Sequence, residues 1–474
     1  MSASDVSAPT GPSAVTLVRG LGLLAATSLV VGDVIGTGVF LKARVMTCNV
    51  GTPVMVVLVW VVGGLLSLAG ALTYAELAAR MPSAGGEYVF IREAYGRLWG
   101  FLYGWTRFFV ASTGGFAGLA AGFAIFLNIA SGGRLQAMGV LPFIAAGAVA
   151  VVTLVNCAEV VVGGRIASFM AALKVGLVVG VGIGAFLLAD GSWAHFALTA
   201  AGGTCDDVPA AARGGIAGFG AAMLGAMWSY NGWNEVTYVG GEVRDPQRNL
   251  PRAIIGGIGI IASCYVFANL AYFYVLTPAT VASIPISSAV ATEVVSRFLG
   301  GRTGGLMAAA LAMSVFGSLQ VVSLVSARIP YAMARDGVFF RGLARLSPRT
   351  RVPIRALVAQ GAWGIVLVFS GSYDVITDYA IFAVLIFVTL ATASVFVFRR
   401  RTPAGEAQGA PDAERAYRTI GYPVVPILFM LVAGWIVVNT LITTPGRAFA
   451  GVGLMLAGLP FYWYWSTRNH SQSA

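Results

Sequence analysis

The sequence predicts an all-helical integral membrane protein with twelve transmembrane helices, and three observations carry that prediction. Hydrophobic residues make up 58% of the 474 positions and charged residues only 10%, with a mean hydropathy of +0.82; an average soluble domain is roughly a quarter charged. Apolar stretches recur at 18–46, 52–79, 98–130, 137–158, 163–189, 214–241, 253–276, 305–334, 354–371, 373–398, 421–443 and 447–466, each supplying the ~20 residues that a spanning helix needs. The basic residues are distributed unevenly. Counting loops from the N-terminus, the even-numbered loops and both termini hold 20 of the 30 Lys and Arg, and the odd-numbered loops hold seven. The positive-inside rule then puts both termini in the cytoplasm. The net charge of +11 is a topology signal of short loops between spans, not a basic face for nucleic acid. Residues 1–16 carry no positive charge ahead of an apolar core, so no cleavable secretory signal is expected.

The first stretch contains LVVGDVIGTGVF, residues 29–40, which places Asp33 and then Gly36-Thr37-Gly38 within a span. Each glycine there costs roughly 1 kcal/mol of helix propensity relative to alanine. Close helix packing in lipid favours small residues, but it does not account for a second irregular segment five stretches later. That segment is MWSYNGWNEVTY, residues 227–238, with Ser229, Asn231, Gly232 and Asn234 at mid-span. The first and sixth helices run in opposite directions. Interrupted helices at corresponding positions of two antiparallel halves point to an inverted-repeat transporter, because irregular backbone at membrane depth is tolerated only where it lines a cavity or lies buried in protein. Freed amides at a half-helix start bind anions, and carbonyls at a half-helix end bind cations. A site offering both suits a zwitterion: the carboxylate on the amides of Thr37 and Gly38, the ammonium on carbonyls near Val34, Trp228 and Asn231.

Between these breaks, the second stretch carries Glu76 near its cytoplasmic end, where a surface or interhelical role is expected. The third carries Arg107. The fifth carries Lys174, one of only two lysines against 28 arginines, roughly 16 Å from the cytoplasmic end of its helix at 1.5 Å per residue. An ionisable group at that depth is a functional candidate by default. Arg107, Glu235 in the sixth stretch and Arg328 in the eighth are expected to pair with one another or to cap loops. Four cysteines, Cys48, Cys157, Cys205 and Cys264, show no metal-binding spacing, and the two histidines fall at 195 and 470. No metal or cofactor is expected. The sequence leaves open whether Cys48 and Cys205 pair; the reading favoured here is that they do not.

These motifs together resemble the amino acid/polyamine/organocation transporters, and within them bacterial relatives of the L-type amino acid transporter branch. The resemblance rests on GDVIGTGVF in the first helix, MPSAGGEYVFIREAYG (81–96), SYNGWNEVTYVGGEVRDPQRNLPRAI (229–254), FGSLQVVSLVSARIPYAMARDG (316–337) and YRTIGYPVVP (417–426), in that order. It implies the leucine-transporter fold with alternating access: a cytoplasmic tail (1–17), a first five-helix repeat (18–190), an inverted second repeat (213–400), two peripheral helices (419–467) and a second cytoplasmic tail (468–474). It implies that Gly36, Thr37 and Gly38 hold the substrate carboxylate. Trp228, Asn231 and Gly232 become the side-chain pocket and gate, with Asn231 standing where large-substrate relatives carry glycine. Lys174 matches a lysine that occupies the sodium site of sodium-coupled cousins. Its implied neighbours are the carbonyls of Gly32 and Ile35 and the hydroxyl of Ser323, with Ser326 as second choice, and Asp33 joins it in coupling. Asp33 departs from the Ser, Thr or Asn common in relatives. The 128–139 loop lacks the cysteine that links eukaryotic members to a glycoprotein, so no disulfide-linked heavy chain is expected.

The function expected is therefore sodium-independent exchange of small to medium neutral amino acids across the plasma membrane, without enzymatic activity. Two alternatives stand beside it: a proton-coupled or exchange carrier of cationic amino acids or polyamines, with Asp33 or Glu235 meeting the extra charge, and a membrane amino-acid sensor. No soluble domain supports the sensor, since the longest loops, near 190–213 and 399–420, are short.

Overall fold

The computed structural model describes residues 15–470 apart from 206–207, 286–287, 301–302, 371–372, 402–416 and 444. The two predicted tails, for residues 1–14 and 471–474, and most of the 399–420 loop lie outside the described residues. Among those described, every regular element is helical apart from two isolated bridges, Leu21 with Val243 and Ala84 with Val239. Among the described residues six helices are long and apolar enough to cross a membrane, seven if a bent pair counts as one span, and four shorter apolar helices accompany them.

The bent pair is the first span. Helix α1 (Leu23–Val34) ends just before Gly36, and α2 (Gly38–Val50) restarts at an angle of 42°. The chain continues through α3 (Pro53–Arg80), α4 (Glu87–Tyr95) and α5 (Arg97–Thr106), which passes through a π-helical turn, Arg107–Ala111, into α6 (Ser112–Ala130). After α7 (Arg134–Ala137) come α8 (Leu141–Asn156) and α9 (Val160–Leu188). Helix α10 (Gly215–Ser229) stops at the second predicted break, where 3-10 turns carry the chain through Glu235–Tyr238 and Gly240–Glu242. Then follow α11 (Pro246–Val275), α12 (Pro278–Ala282), α13 (Val290–Leu299), α14 (Thr303–Ser326), α15 (Arg328–Arg335), α16 (Ile354–Ser370), α17 (Tyr373–Arg401), α18 (Val424–Thr443), α19 (Pro445–Leu456) and α20 (Leu459–His470).

Helix α11 packs along α3, α1 and α9, while α14 packs along α6, α9, α8 and α1. Both broken segments are thereby enclosed by long helices, the surroundings that irregular backbone requires at membrane depth. The N-terminal end of α1 is tied to the end of the second break: the Leu21 amide donates to the Glu242 carbonyl at 3.0 Å and the Arg244 amide to the Leu21 carbonyl at 2.8 Å.

Cys48 and Cys205 form a disulfide, with Cα atoms 5.7 Å apart, which corrects the expectation that they stay unpaired. The segment after α9 folds back onto the end of α2. Asn49 donates through Nδ2 to the Ala212 carbonyl at 2.7 Å, and its own carbonyl accepts from Gly214 at 2.7 Å. The Ala200 amide reaches the Gly51 carbonyl at 2.8 Å. A separation of 157 residues left no local signal for that approach.

Candidate functional site

The two breaks meet. A Cβ placed on Gly38 would fall 2.4 Å from the Ser229 hydroxyl and 3.1 Å from its Cα, so α2 and α10 approach closely only because position 38 has no side chain. Gly232 has φ +113°, and a Cβ there would lie 2.8 Å from a carboxylate oxygen of Asp33; both the backbone conformation and the contact require glycine. Gly36 differs, since the only atom near a Cβ there is the Ser318 hydroxyl at 3.8 Å. Packing therefore does not require glycine at position 36.

Thr37 is the N-cap of α2. Its carbonyl accepts from Phe40 and Leu41, whereas the amides of Thr37 and Gly38 have no acceptor among the described residues. These orphan donors at a helix start are the physical requirement for holding an anion. The carbonyls offered to an ammonium are less uniform than predicted. The Val34 carbonyl already accepts twice, from the Gly36 amide at 2.8 Å and from the Tyr265 hydroxyl at 2.9 Å. The Trp228 carbonyl accepts the Asn231 amide at 3.2 Å. Asn231 and Trp228 are exposed, Trp228 by 44%, and the Lys42 ammonium stands 4.8 Å over the Trp228 ring.

Tyr265, on α11, escaped the sequence reading. Its buried hydroxyl lies 2.9 Å from both the Val34 and the Ser229 carbonyls and so bridges the last turns of the two half-helices. Its ring packs edge-on against Trp60 at 4.9 Å and against Tyr230 at 5.1 Å. A tyrosine inside a hydrophobic span carries no signal that separates this role from core packing.

Lys174 is 1% exposed and donates to the Gly32 carbonyl and to the Ser318 hydroxyl, each at 2.6 Å. Ser318 in turn donates to Gly32 at 3.1 Å. The ammonium therefore stitches α9 to α1 and α14. Gly32 is found where it was predicted, but Ile35, Ser323 and Ser326 are not hydrogen-bond partners of Lys174. The reason is helical geometry: Ser323 is rotated ~140° around α14 from Ser318, and Ser326 lies ~12 Å further along the axis. The Ser326 hydroxyl donates instead to Val322 and accepts from Gln360 at 2.7 Å. Asp33 makes no ion pair with Lys174, although the charges of Lys174, Glu235 and Arg107 all act on it.

Beside the second break lies a polar cluster of which the sequence marks only Arg107 and Glu235. Glu87 opens α4, within the 81–96 motif and outside the apolar stretches, yet it is 0% exposed. Its oxygens accept from the hydroxyls of Tyr74, Tyr103 and Tyr238, from Asn234 Nδ2 at 2.9 Å and from Arg107 at 3.5 Å. Arg107, at the start of the π-helical turn, also pairs with Glu235 at 3.1 Å. π-Helical turns inside α-helices are frequent at functional sites. Arg328 does not join this group; it pairs with Glu242 through two hydrogen bonds at 2.8 and 3.0 Å. Glu76 has the interhelical role, held by Arg399 of α17 at 2.6 Å, by Arg80 at 2.8 Å and by the Thr419 amide at 2.8 Å.

An all-helical membrane protein whose two interrupted helices face each other around orphan amides has the architecture of a solute carrier. Residues 21–464 match the amino acid permease family model, and the chain belongs to that family. Among its relatives, the serine/threonine exchanger SteT of Bacillus subtilis is 31% identical over 463 residues, covering 96% of this chain and 98% of the relative. The b(0,+)-type amino acid transporter 1 of Mus musculus is 28% identical, covering 94% and 88%. The large neutral amino acids transporter small subunit 2 of Oryctolagus cuniculus is 28% identical, covering 97% and 83%. The protein is thus a multi-pass membrane protein of the amino acid/polyamine/organocation superfamily, similar to the L-type branch, and its relatives transport amino acids.

Proposed function

We propose that this chain exchanges small to medium neutral amino acids across the plasma membrane, independently of sodium and by alternating access. In this reading twelve spans form two inverted five-helix repeats (18–190 and 213–400) followed by two peripheral helices (419–467), with both termini cytoplasmic. The disulfide between Cys48 and Cys205 supports the orientation, because both lie towards loops assigned to the outside, where disulfides persist. No covalent heavy chain is needed.

The observation that carries the proposal is the meeting of the two breaks around the unpaired amides of Thr37 and Gly38. The substrate carboxylate docks on those amides. The ammonium takes the Val34 carbonyl by displacing the Tyr265 hydroxyl, together with the carbonyls of Trp228 and Asn231. Trp228 and Asn231, exposed around the break, line the side-chain pocket. The Asn231 side chain narrows it and presents a polar group that a bulky apolar substrate would leave unsatisfied.

Lys174 supports sodium independence. Its ammonium places a positive charge and its donors between α1 and α14, against the same carbonyl and hydroxyl oxygens that a sodium ion would need. The test is counterflow in liposomes with a panel of labelled amino acids, in sodium and in choline: small neutral amino acids should exchange equally in both. A second reading, cationic substrates, is favoured by the unpaired buried oxygens of Asp33 and Glu235. Arginine in the same panel decides between them.

A further inference from the structure

The charges buried around the two breaks do not balance. Asp33 is acted on by Glu235, Lys174 and Arg107, and Glu235 by Arg107 and Glu87. Three carboxylates therefore face two cations, leaving one negative charge over. Two other buried carboxylates are not in excess: Arg328 neutralises Glu242, and Glu76 has both Arg399 and Arg80.

The surplus can be located. Glu87 accepts from three tyrosines, Asn234 and Arg107, which leaves no lone pair for a proton. Glu235 is 7% exposed; Oε1 accepts from Arg107, and Oε2 is buried with no partner among the described residues. Asp33 Oδ2 is likewise buried with no partner among them. Both residues sit at the second break: the Asp33 carboxylate lies against Gly232, 2.8 Å from where a Cβ would stand, and Glu235 follows three residues later, its backbone amide donating to the Gly232 carbonyl at 3.0 Å. A carboxylate oxygen without a donor in a low-dielectric interior is costly.

We propose that Asp33 and Glu235 form a proton-binding site that loads one proton together with each neutral amino acid. This rests on the neutral-substrate reading above. While the site is open, water solvates the unpaired oxygens. Occlusion removes that water, and a zwitterion brings no net charge to replace it, so the surplus is neutralised by a proton from solvent that bonds to Asp33 Oδ2 or Glu235 Oε2. Contact with Gly232 leaves no room on that side of Asp33 for a methylene-bearing cation, whereas a proton needs none. The groups facing the pair are Lys174 from α9, Arg107 from the π-helical turn, and Glu87, Tyr103 and Tyr238 beyond Arg107.

Binding that takes up a proton must strengthen as pH falls, by up to about tenfold per pH unit for one proton. The experiment is calorimetric titration of L-serine into the purified full-length protein in buffers of different ionisation enthalpy, across about pH 5 to 9, a range that brackets the usual histidine and perturbed carboxylate values. The expected result is about one proton taken up per serine, with affinity rising towards acid, and loss of both in Asp33→Asn and Glu235→Gln. Serine binding by the wild type without proton uptake at any pH overturns the proposal alone. Uptake that persists in both variants overturns the assignment to this pair. Binding of arginine but not serine, without proton uptake, overturns the neutral-substrate reading and this proposal together. The wild-type measurement decides even if a variant fails to fold.

Discussion

Replacing Tyr265 by phenylalanine removes one hydroxyl and leaves the ring packing against Trp60 and Tyr230 in place. That hydroxyl is shared between the carbonyls of Val34 and Ser229; a bound ammonium replaces it at Val34, whereas the Ser229 contact is open to it in both states. The substitution should therefore destabilise the empty site more than the loaded one. A hydrogen bond is worth about 0.5–1.5 kcal/mol net, and interhelical ones in membranes average about 0.6 kcal/mol, so the one bond that the substrate replaces is worth about 0.5–1.5 kcal/mol. The corresponding shift is about 2- to 13-fold at 1.4 kcal/mol per tenfold. Tyr265→Phe should bind L-serine more tightly by that factor in an equilibrium assay on purified protein. It should also slow net uptake more than exchange, since only net uptake requires the empty carrier to return. Weaker binding at unchanged thermal stability would refute the reasoning, because the hydroxyl would then be contacting the substrate rather than standing in for it.

Asn231→Gly should admit larger substrates such as phenylalanine in counterflow; a variant that gains nothing while the wild type already moves aromatics would remove Asn231 from the pocket. Gly36→Ala should lower serine binding by more than about tenfold with an unchanged melting temperature, since the nearest atom to the new Cβ is 3.8 Å away. Gly38→Ala should lose stability and binding together through its clash with Ser229, and an equal stability loss at both positions would return Gly36 to a packing role. Lys174→Ala breaks the tie between α9, α1 and α14 and shifts the balance of carrier conformations; apparent affinities on the two faces of oriented liposomes should change unequally, by about 5- to 150-fold on the more affected side. Normal kinetics from both faces would leave Lys174 a structural ammonium.

What was legible in the sequence is what violates the local rules of a membrane helix. Glycines at 36, 38 and 232 interrupt apolar stretches, and Lys174 sits too deep to reach water, so each announces itself without a partner being known. What was not legible depends on how helices rotate and approach. Helix α14 is apolar nearly all round and carries Ser314, Ser318, Ser323 and Ser326; nothing in that pattern says which serine faces α9, and Ser323 was preferred where Ser318 makes the contact. The pairing of Arg107 with Glu235 was among the expected options, whereas Arg328 pairs with Glu242 at the end of the second break. Glu87 lies outside the apolar stretches, in the 81–96 motif, and its burial depends on tertiary approach, with Ala84 bridging to Val239 beside it. Tyr265 and the disulfide between Cys48 and Cys205 depend wholly on tertiary approach.

The most direct test is the initial rate of labelled L-serine exchange by the wild-type protein in liposomes, with sodium on both sides and then with choline in its place. The Lys174 ammonium lies 2.6 Å from the Gly32 carbonyl and the Ser318 hydroxyl; on the proposed reading it takes the place of a sodium ion there, and equal rates are predicted. Exchange that requires sodium would contradict it.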